Sequence, residues 1–433
     1  MAIDIEVVSK QNIRPSVPTP EHLKKYTLSF LDQLAPGVFI PLLFYYPADD
    51  QAENRLKSDH LKKSLSEALS KFYPLGGRFV SDNGHVDCND EGAQYVEAQV
   101  NCKLNDVIRD PIPNELAKLL PLELDDATVD LNFAVQVNFF KCGGLAVGAV
   151  ISHKVADALS FVNFMTSWAA IARGEQDVPS PIFGLAKLFP PLDMSGFEDR
   201  TGVLKENIIS KRFLFDASKI LALKNKCAED NKNKSPEDRT QPTRFEALSA
   251  FIWNRYMAAT GKNPGAPENT NIMFLPVNLR TRFDPPLPKH YFGNLYRMAI
   301  LTPSMQNGEK ENYGDIISQA REAIKSVDTS YVEKLKKGED HLMCMKQMAQ
   351  KFDKGEMLTM SFTSLSRFGV YEADFGWGKP VWVSSARLTF SNVVTFFDNK
   401  EGDGIEAWII LKEDEMAKFE ADQELVSFVS STV

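Results

Sequence analysis

Residues 133–168 constrain this chain more than any other stretch, because they dictate three elements in immediate succession. Phe133-Ala-Val-Gln-Val-Asn-Phe-Phe140 alternates and then runs apolar, Gly143-Gly144 supplies a turn, and residues 145–151 form a second apolar run, so the spacing predicts a β-hairpin. Further on, Leu159, Phe161, Val162, Phe164, Met165 and Trp168 recur at helical spacing. The junction between strand and helix therefore falls on His153-Lys-Val-Ala-Asp157. Such a junction presents an imidazole just past a strand end. It also sets Asp157 near the helix start, where a carboxylate suits the amide N–H groups that the first turn leaves without partners.

Two readings fit that pair: a catalytic base held by a structural carboxylate, or a capped histidine satisfied near a core edge. Spacing alone does not choose, since 6 His and 58 acidic residues in 433 positions make roughly one His-x-x-x-acid pair expected by chance. A metal site is disfavoured. His22, His60, His85, His290 and His341 show no ligand spacing with a Cys or with one another.

A chain of 433 residues, 43% hydrophobic and 25% charged, is too long for a single core, so two domains are expected. The formal net charge of −9 argues against general affinity for nucleic acid or an anionic membrane surface. An anionic cofactor would need its own local basic site. The first residues, Met1-Ala-Ile-Asp-Ile-Glu6, lack a basic segment followed by an apolar core, and no run approaches the roughly 20 apolar residues of a membrane span. The expectation is a soluble, cytoplasmic protein. Five Cys (88, 102, 142, 227 and 344), scattered and without a Cys-x-x-Cys, fit reduced thiols. Cys142, beside the Gly-Gly turn, reads as a buried small side chain rather than a nucleophile.

Residues 179–204 hold four Pro and three Gly with little periodicity, which suits a long connection between domains. The expected division is residues 1–195, a crossover over 196–215, and residues 216–433. Periodicity predicts a strand over 208–215, helices over 217–228 and 244–260, and a strand over 271–278, with a charged, exposed loop over 228–239. An α/β or α+β layered fold follows. In Asp374-Phe-Gly-Trp-Gly-Lys-Pro380, Gly376 and Gly378 flank Trp377, which a helix interior would not tolerate; they make a tight turn that pins a large ring. Asp374 can accept from those turn amides or pair with an Arg. The motif reads as a packed loop that braces a site without touching substrate.

His153-Lys-Val-Ala-Asp157 together with Asp374-Phe-Gly-Trp-Gly378 resembles the plant BAHD family of coenzyme A-dependent acyltransferases. The likeness extends over nearly the whole chain, because Leu28-Ser-Phe-Leu-Asp-Gln33, Tyr73-Pro-Leu-Gly-Gly-Arg78, Phe245-Glu-Ala-Leu-Ser-Ala-Phe-Ile-Trp253, Val277-Asn-Leu-Arg280, Tyr291-Phe-Gly-Asn294 and Gly404-Ile-Glu-Ala-Trp408 resemble the family's secondary motifs in order. Val86-Asp-Cys-Asn-Asp-Glu-Gly92, Phe140-Lys-Cys-Gly-Gly144 and Asp284-Pro-Pro-Leu-Pro288 resemble its alkaloid-acylating branch.

The resemblance implies an α/β chain of two similar-sized domains related to chloramphenicol acetyltransferase, each a mixed sheet with helices, with a channel between them. It implies transfer of an acyl group, acetyl foremost, from its coenzyme A thioester to a hydroxyl of an alkaloid or related plant metabolite, in a ternary complex without an acyl-enzyme. Coenzyme A would be a cosubstrate, with no permanently bound cofactor or metal, and the chain would work as a monomer. His153 would be the general base. Asp157 would turn away and pair with Arg280, Asp374, Gly376, Trp377 and Gly378 would support the site, and Thr363 would supply a hydroxyl to the oxyanion. Leu365 stands where the family usually carries Trp, which bears on acceptor positioning. No Gly-x-Ser-x-Gly elbow accompanies His153, which disfavours a serine nucleophile. No Gly-rich phosphate loop is present either, so coenzyme A phosphates would meet dispersed groups: Thr243, Arg244, Asn294 and Lys379, although Thr243 suits a helix cap and Asn294 a turn equally well. An amine acceptor or a longer, branched or aromatic acyl donor are alternatives within the class. A noncatalytic ligand-binding relative is the alternative outside it.

Overall fold

A computed structural model describes residues 2–48, 54–80, 84–126, 128–197, 207–229, 241–260, 270–303, 312–354 and 356–432. In chain order its strands are β1 (Ile5–Ile13), β2 (Lys25–Thr27), β3 (Phe39–Tyr46), β4 (Arg78–Val80), β5 (His85–Asp87), β6 (Ala93–Val100), β7 (Phe133–Phe140) and β8 (Leu145–Ser152). They continue as β9 (Ile208–Phe215), β10 (Thr270–Asn278), β11 (Tyr296–Leu301), β12 (Met357–Ser364), β13 (Trp382–Ser384), β14 (Val393–Asp398), β15 (Ile405–Lys412) and β16 (Ser431–Thr432). The chain forms two compact units, each with its own mixed sheet and helices, which is the fold class the sequence implies.

In the first unit the sheet runs β1-β6-β7-β8-β3-β13, with β6 and β7 parallel and the other pairs antiparallel. A small sheet, β2-β5-β4, stands beside it. The predicted hairpin is the centre of the six-stranded sheet: β7 and β8 pair antiparallel with Phe133 opposite Ile151, and every residue of both strands is buried. Gln136 and Asn138, two apart and so on one face, keep their amides satisfied by donating to the Lys118 and Leu119 carbonyls at 3.0 and 2.9 Å. The apolar stripe of the Ala158–Ala172 helix explains its place. Phe164 meets Phe72 and Phe133 edge-on, with centroids 5.1 and 4.8 Å apart, and Trp168 donates from its indole to Ser64 of the Asn54–Lys71 helix at 3.0 Å.

The second unit's sheet runs β11-β10-β12-β14-β15-β9-β16, parallel at β10–β12 and β12–β14. Its Arg244–Thr260 helix has the bounds that periodicity predicts. Arg255, fully buried on that helix, is paired with Asp422 and Glu424. Arg212 meets Glu406 with two bonds of 2.8 and 2.9 Å, the arrangement a buried carboxylate requires. Among the described residues no helix is long and apolar enough to cross a membrane.

The division departs from a single cut. The first unit comprises Met1–Thr201 together with Pro285–Leu295 and Arg367–Thr389. Part of the supposed 196–215 crossover is β9, an internal strand of the second sheet, because Ile208 to Phe215 alternates and pairs with β15 along its whole length. The Asp374 loop belongs to the first unit rather than the C-terminal one, since β13 adds an edge strand to β3. Cys142 is exposed rather than buried. It sits in the turn beyond two buried strands, where its sulfur accepts from the Leu104 amide. Of the loop expected over 228–239, residues 230–239 lie outside the described residues, and 228 and 229 end the Ala217–Glu229 helix.

Candidate active site

His153 follows directly on β8, a central strand, and its amide donates to the Val38 carbonyl at 2.8 Å just before β3. Two short segments far apart in sequence close on it within the first unit. One is the turn Phe30–Gln33, entered through a capping box in which the Ser29 side chain accepts from the Asp32 amide while the Asp32 carboxylate accepts from the Ser29 amide. The other is Gly293-Asn294, fixed by the neighbouring bonds of Ile182 to His290 and Phe292 to Ile182.

Asn294 is the hub. Its side-chain nitrogen donates to Asp32 Oδ1 at 2.9 Å and to the His153 carbonyl at 2.8 Å, and its oxygen lies 3.1 Å from His153 Nδ1. Its backbone amide donates to the same Asp32 oxygen at 2.9 Å. His153 is half-buried by accessible surface, but the protein packed around the ring makes desolvation the leading influence, and its pKa falls below the ordinary histidine value. Its own backbone, Asp157 and Asn294 pull the other way. The ring is therefore neutral at pH 7, as a general base must be.

Asp157 is the N-cap that the sequence predicts: its Oδ1 accepts from the Ser160 amide at 2.8 Å. Oδ2 accepts from the Leu295 amide at 3.1 Å, so one buried carboxylate ties the helix start to the segment that carries Asn294. The Ser160 hydroxyl donates to the Gly293 carbonyl at 3.0 Å and lies 3.2 Å from the Gly293 amide. A hydroxyl held this way is a strut for the loop. Gly293 itself has φ +124°, and a Cβ there would meet Leu185 Cδ2 at 2.6 Å, so any other residue is strained and needs Leu185 to move.

The Asp374 loop packs at the other end of the same helix. Asp374 Oδ1 accepts from the Gly376 and Gly378 amides at 2.8 and 2.9 Å, and both glycines have positive φ. Phe375 lies against Trp168 and stacks with Trp377, at centroid distances of 4.8 and 5.9 Å. Arg173, at the helix C-cap, donates to the Asp374 carbonyl. Trp168 is eleven residues beyond Asp157, or about 16 Å along the axis. The loop braces the helix that Asp157 caps.

The remaining candidates sit on other elements of the chain. Thr243 caps the Arg244–Thr260 helix, its hydroxyl accepting from the Glu246 amide at 3.2 Å while Glu246 accepts from the Thr243 amide at 2.8 Å. Arg244 donates to Asp398 at 3.0 Å and to the Gly402 carbonyl at 2.7 Å. Thr363 is on β12, opposite Thr395 of β14, and Leu365 is buried just past the strand end. Arg280 is buried in the Leu279–Arg282 turn, its amide on Asn278. All five belong to the second unit. Lys379, in the first, is exposed and 2.6 Å from Glu372. Asn294, read as a coenzyme A contact, is spent on Asp32 and His153 and is almost fully buried. Asp32 was not singled out by sequence. Its signal is the Ser-x-x-Asp spacing of a capping box at Ser29, which announces the turn but not the tie to Asn294.

Comparison with known proteins follows the same line. The transferase family model matches residues 3–426. Epi-neemfruitin B synthase L1AT of Melia azedarach is 36% identical over 437 residues, 99% of each chain. Stemmadenine O-acetyltransferase of Catharanthus roseus is 35% identical over 431 residues, 98% of this chain and 97% of its own. Vinorine synthase of Rauvolfia serpentina is 36% identical over 443 residues, all of this chain and 99% of its own. The crystal structure of vinorine synthase superposes with a TM-score of 0.82 over 98% of both chains.

Proposed function

Because the chain belongs to the BAHD acyltransferases, the transferase family whose model spans it, we propose that it moves an acetyl group from acetyl-coenzyme A to a hydroxyl of an alkaloid or related plant specialised metabolite. The observation that carries the proposal is the neutral, oriented imidazole of His153. An alcohol is a poor nucleophile while it keeps its proton. His153 Nε2 takes that proton as the oxygen attacks the thioester carbonyl, giving a tetrahedral oxyanion that needs a hydrogen-bond donor aimed at it. The family resemblance gives that task to the Thr363 hydroxyl. Collapse breaks the carbon–sulfur bond, and the imidazolium returns its proton to the departing thiolate. The acceptor is acylated directly in a ternary complex. Ser160, the hydroxyl in the first turn of the helix that follows His153, is spent on Gly293, which favours a route without an acyl-enzyme. Thr243, Arg244 and Lys379 are proposed to meet coenzyme A phosphates, the first two at a helix start. The relatives' names favour an O-acetyl product, and the enzyme is proposed to act as a cytoplasmic monomer.

The test is incubation of purified protein with acetyl-coenzyme A, and separately with longer acyl-coenzyme A species, against pooled alkaloids and alcohols, following thiol release and product mass. An acetylated product that disappears with His153→Ala supports the proposal. Saturable acyl-coenzyme A binding without turnover across broad donor and acceptor pools overturns it in favour of a binding protein.

A further inference from the structure

We propose that Asp32, acting through Asn294, selects the tautomer of His153, so that the imidazole lone pair lies on Nε2 rather than Nδ1. The inference rests on His153 being the base, but its test does not require turnover.

The argument is one of donors and acceptors. Asp32 receives four donors: the Asn294 backbone and side-chain nitrogens on Oδ1, and the Ser29 amide and hydroxyl on Oδ2 at 2.9 and 2.6 Å. Three of them are N–H groups that can only donate; burial raises the Asp32 pKa, and these bonds from Ser29 and Asn294 oppose that rise by favouring the carboxylate. The His153 carbonyl also only accepts. Asn294 must therefore turn its NH2 toward Asp32 Oδ1 and the His153 carbonyl, because the reverse orientation would set its oxygen against two acceptors. Its oxygen then faces His153 Nδ1 and can only accept. Nδ1 must carry the hydrogen, which leaves the lone pair of the neutral ring on Nε2. Asp32 has no exposed surface and Asn294 only 1%, so water does not compete for either group. Without the acceptor at Asp32, one of the two forces fixing the amide is gone. A turned amide would then donate to Nδ1 and move the lone pair to the wrong nitrogen. Asp32 and Asn294 are positioning residues, separated from His153 by 121 and 141 positions respectively. Besides Asn294, the groups acting on His153 are its own backbone, Asp157 and Lys154, and the Asp32 charge raises the pKa of the buried Tyr26 hydroxyl.

The experiment is a two-bond proton–nitrogen spectrum of the full protein labelled with 15N-histidine, in which six histidines give a tractable pattern and His153→Ala assigns the one that matters. The wild type is expected to show a protonated Nδ1 and an unprotonated Nε2 for His153 at pH 7.5. Asp32→Ala and Asn294→Ala are each expected to mix or invert that pattern. They should also lower kcat by roughly 10- to 100-fold with acyl-coenzyme A affinity unchanged, and the double variant should cost little more than either single one. A protonated Nε2 in the wild type overturns the proposal outright, as does a wild-type pattern retained in both variants. If Asp32→Ala fails to fold, the wild-type spectrum and Asn294→Ala still decide. Turnover that survives His153→Ala would instead sink the general-base reading and leave the tautomer result standing.

Discussion

Gly293→Ala tests whether the segment that carries Asn294 is as tightly determined as its geometry says. Two costs add. A non-glycine residue at φ +124° is strained by about 1–3 kcal/mol, and the new Cβ, 2.6 Å from Leu185 Cδ2, forces a buried side chain to move at about 1–3 kcal/mol more. Restricting the unfolded chain returns about 0.4–1 kcal/mol, so the net loss is roughly 1–6 kcal/mol. In a unit of this size that lowers the melting temperature by on the order of 10 °C. Gly174→Ala is the control: its φ of +76° is also positive, but nothing lies within 4 Å of the new Cβ, so only a strain of about 1–2 kcal/mol applies. The assay is thermal and urea unfolding followed by circular dichroism, with both variants measured beside the wild type. A Gly293→Ala protein no less stable than Gly174→Ala would refute the steric part of the argument.

Further outcomes can be checked together. Because burial lowers the His153 pKa, the base should stay neutral as pH falls through about 6.5, and the acid limb of kcat/KM should bend below that value in a pH–rate profile. The same shift has a stability consequence. Between the folded and unfolded pKa values the unfolded chain holds a proton that the folded one lacks, so stability falls as pH drops below about 6.5. His341, pushed to about 3 by burial and by Arg297, extends the loss to that pH, and His341→Gln should flatten the acid side of a melting temperature–pH curve. Asp374→Ala leaves two turn amides without their acceptor and should destabilise the protein by about 1–3 kcal/mol in urea titrations while kcat of the folded enzyme is kept. Asp157→Asn places NH2 against a donating amide at Ser160 or Leu295, and should lower kcat less than His153→Ala does. Intact-mass spectrometry after incubation with acetyl-coenzyme A alone should show no acetyl adduct, and a stoichiometric adduct would contradict direct transfer.

Local physics made part of this chain readable from sequence. The β7–β8 hairpin, the cap at Asp157 and the Arg244–Thr260 helix depend on side chains within a few positions of one another, and periodicity found each of them. The tight turn at Gly376 and Gly378, with Asp374 accepting its amides, was legible for the same reason. What escaped was long-range. Asn294 looked like a turn residue or a cofactor contact because its partners, Asp32 and His153, are 262 and 141 positions away. The return of residues 367–389 to the first unit escaped too, since a three-residue edge strand such as β13 carries too short a pattern to announce which sheet it joins. Cys142 was misplaced because a turn between two fully buried strands is not itself buried.

The central claim is that His153 does the chemistry, and the most direct measurement is a single-turnover rate of product formation for wild type and His153→Ala, with acyl-coenzyme A affinity measured separately on each. The account predicts a rate lower by roughly 100- to 10,000-fold at unchanged affinity and unchanged melting behaviour. A folded His153→Ala protein that binds acyl-coenzyme A and turns over at the wild-type rate would contradict it.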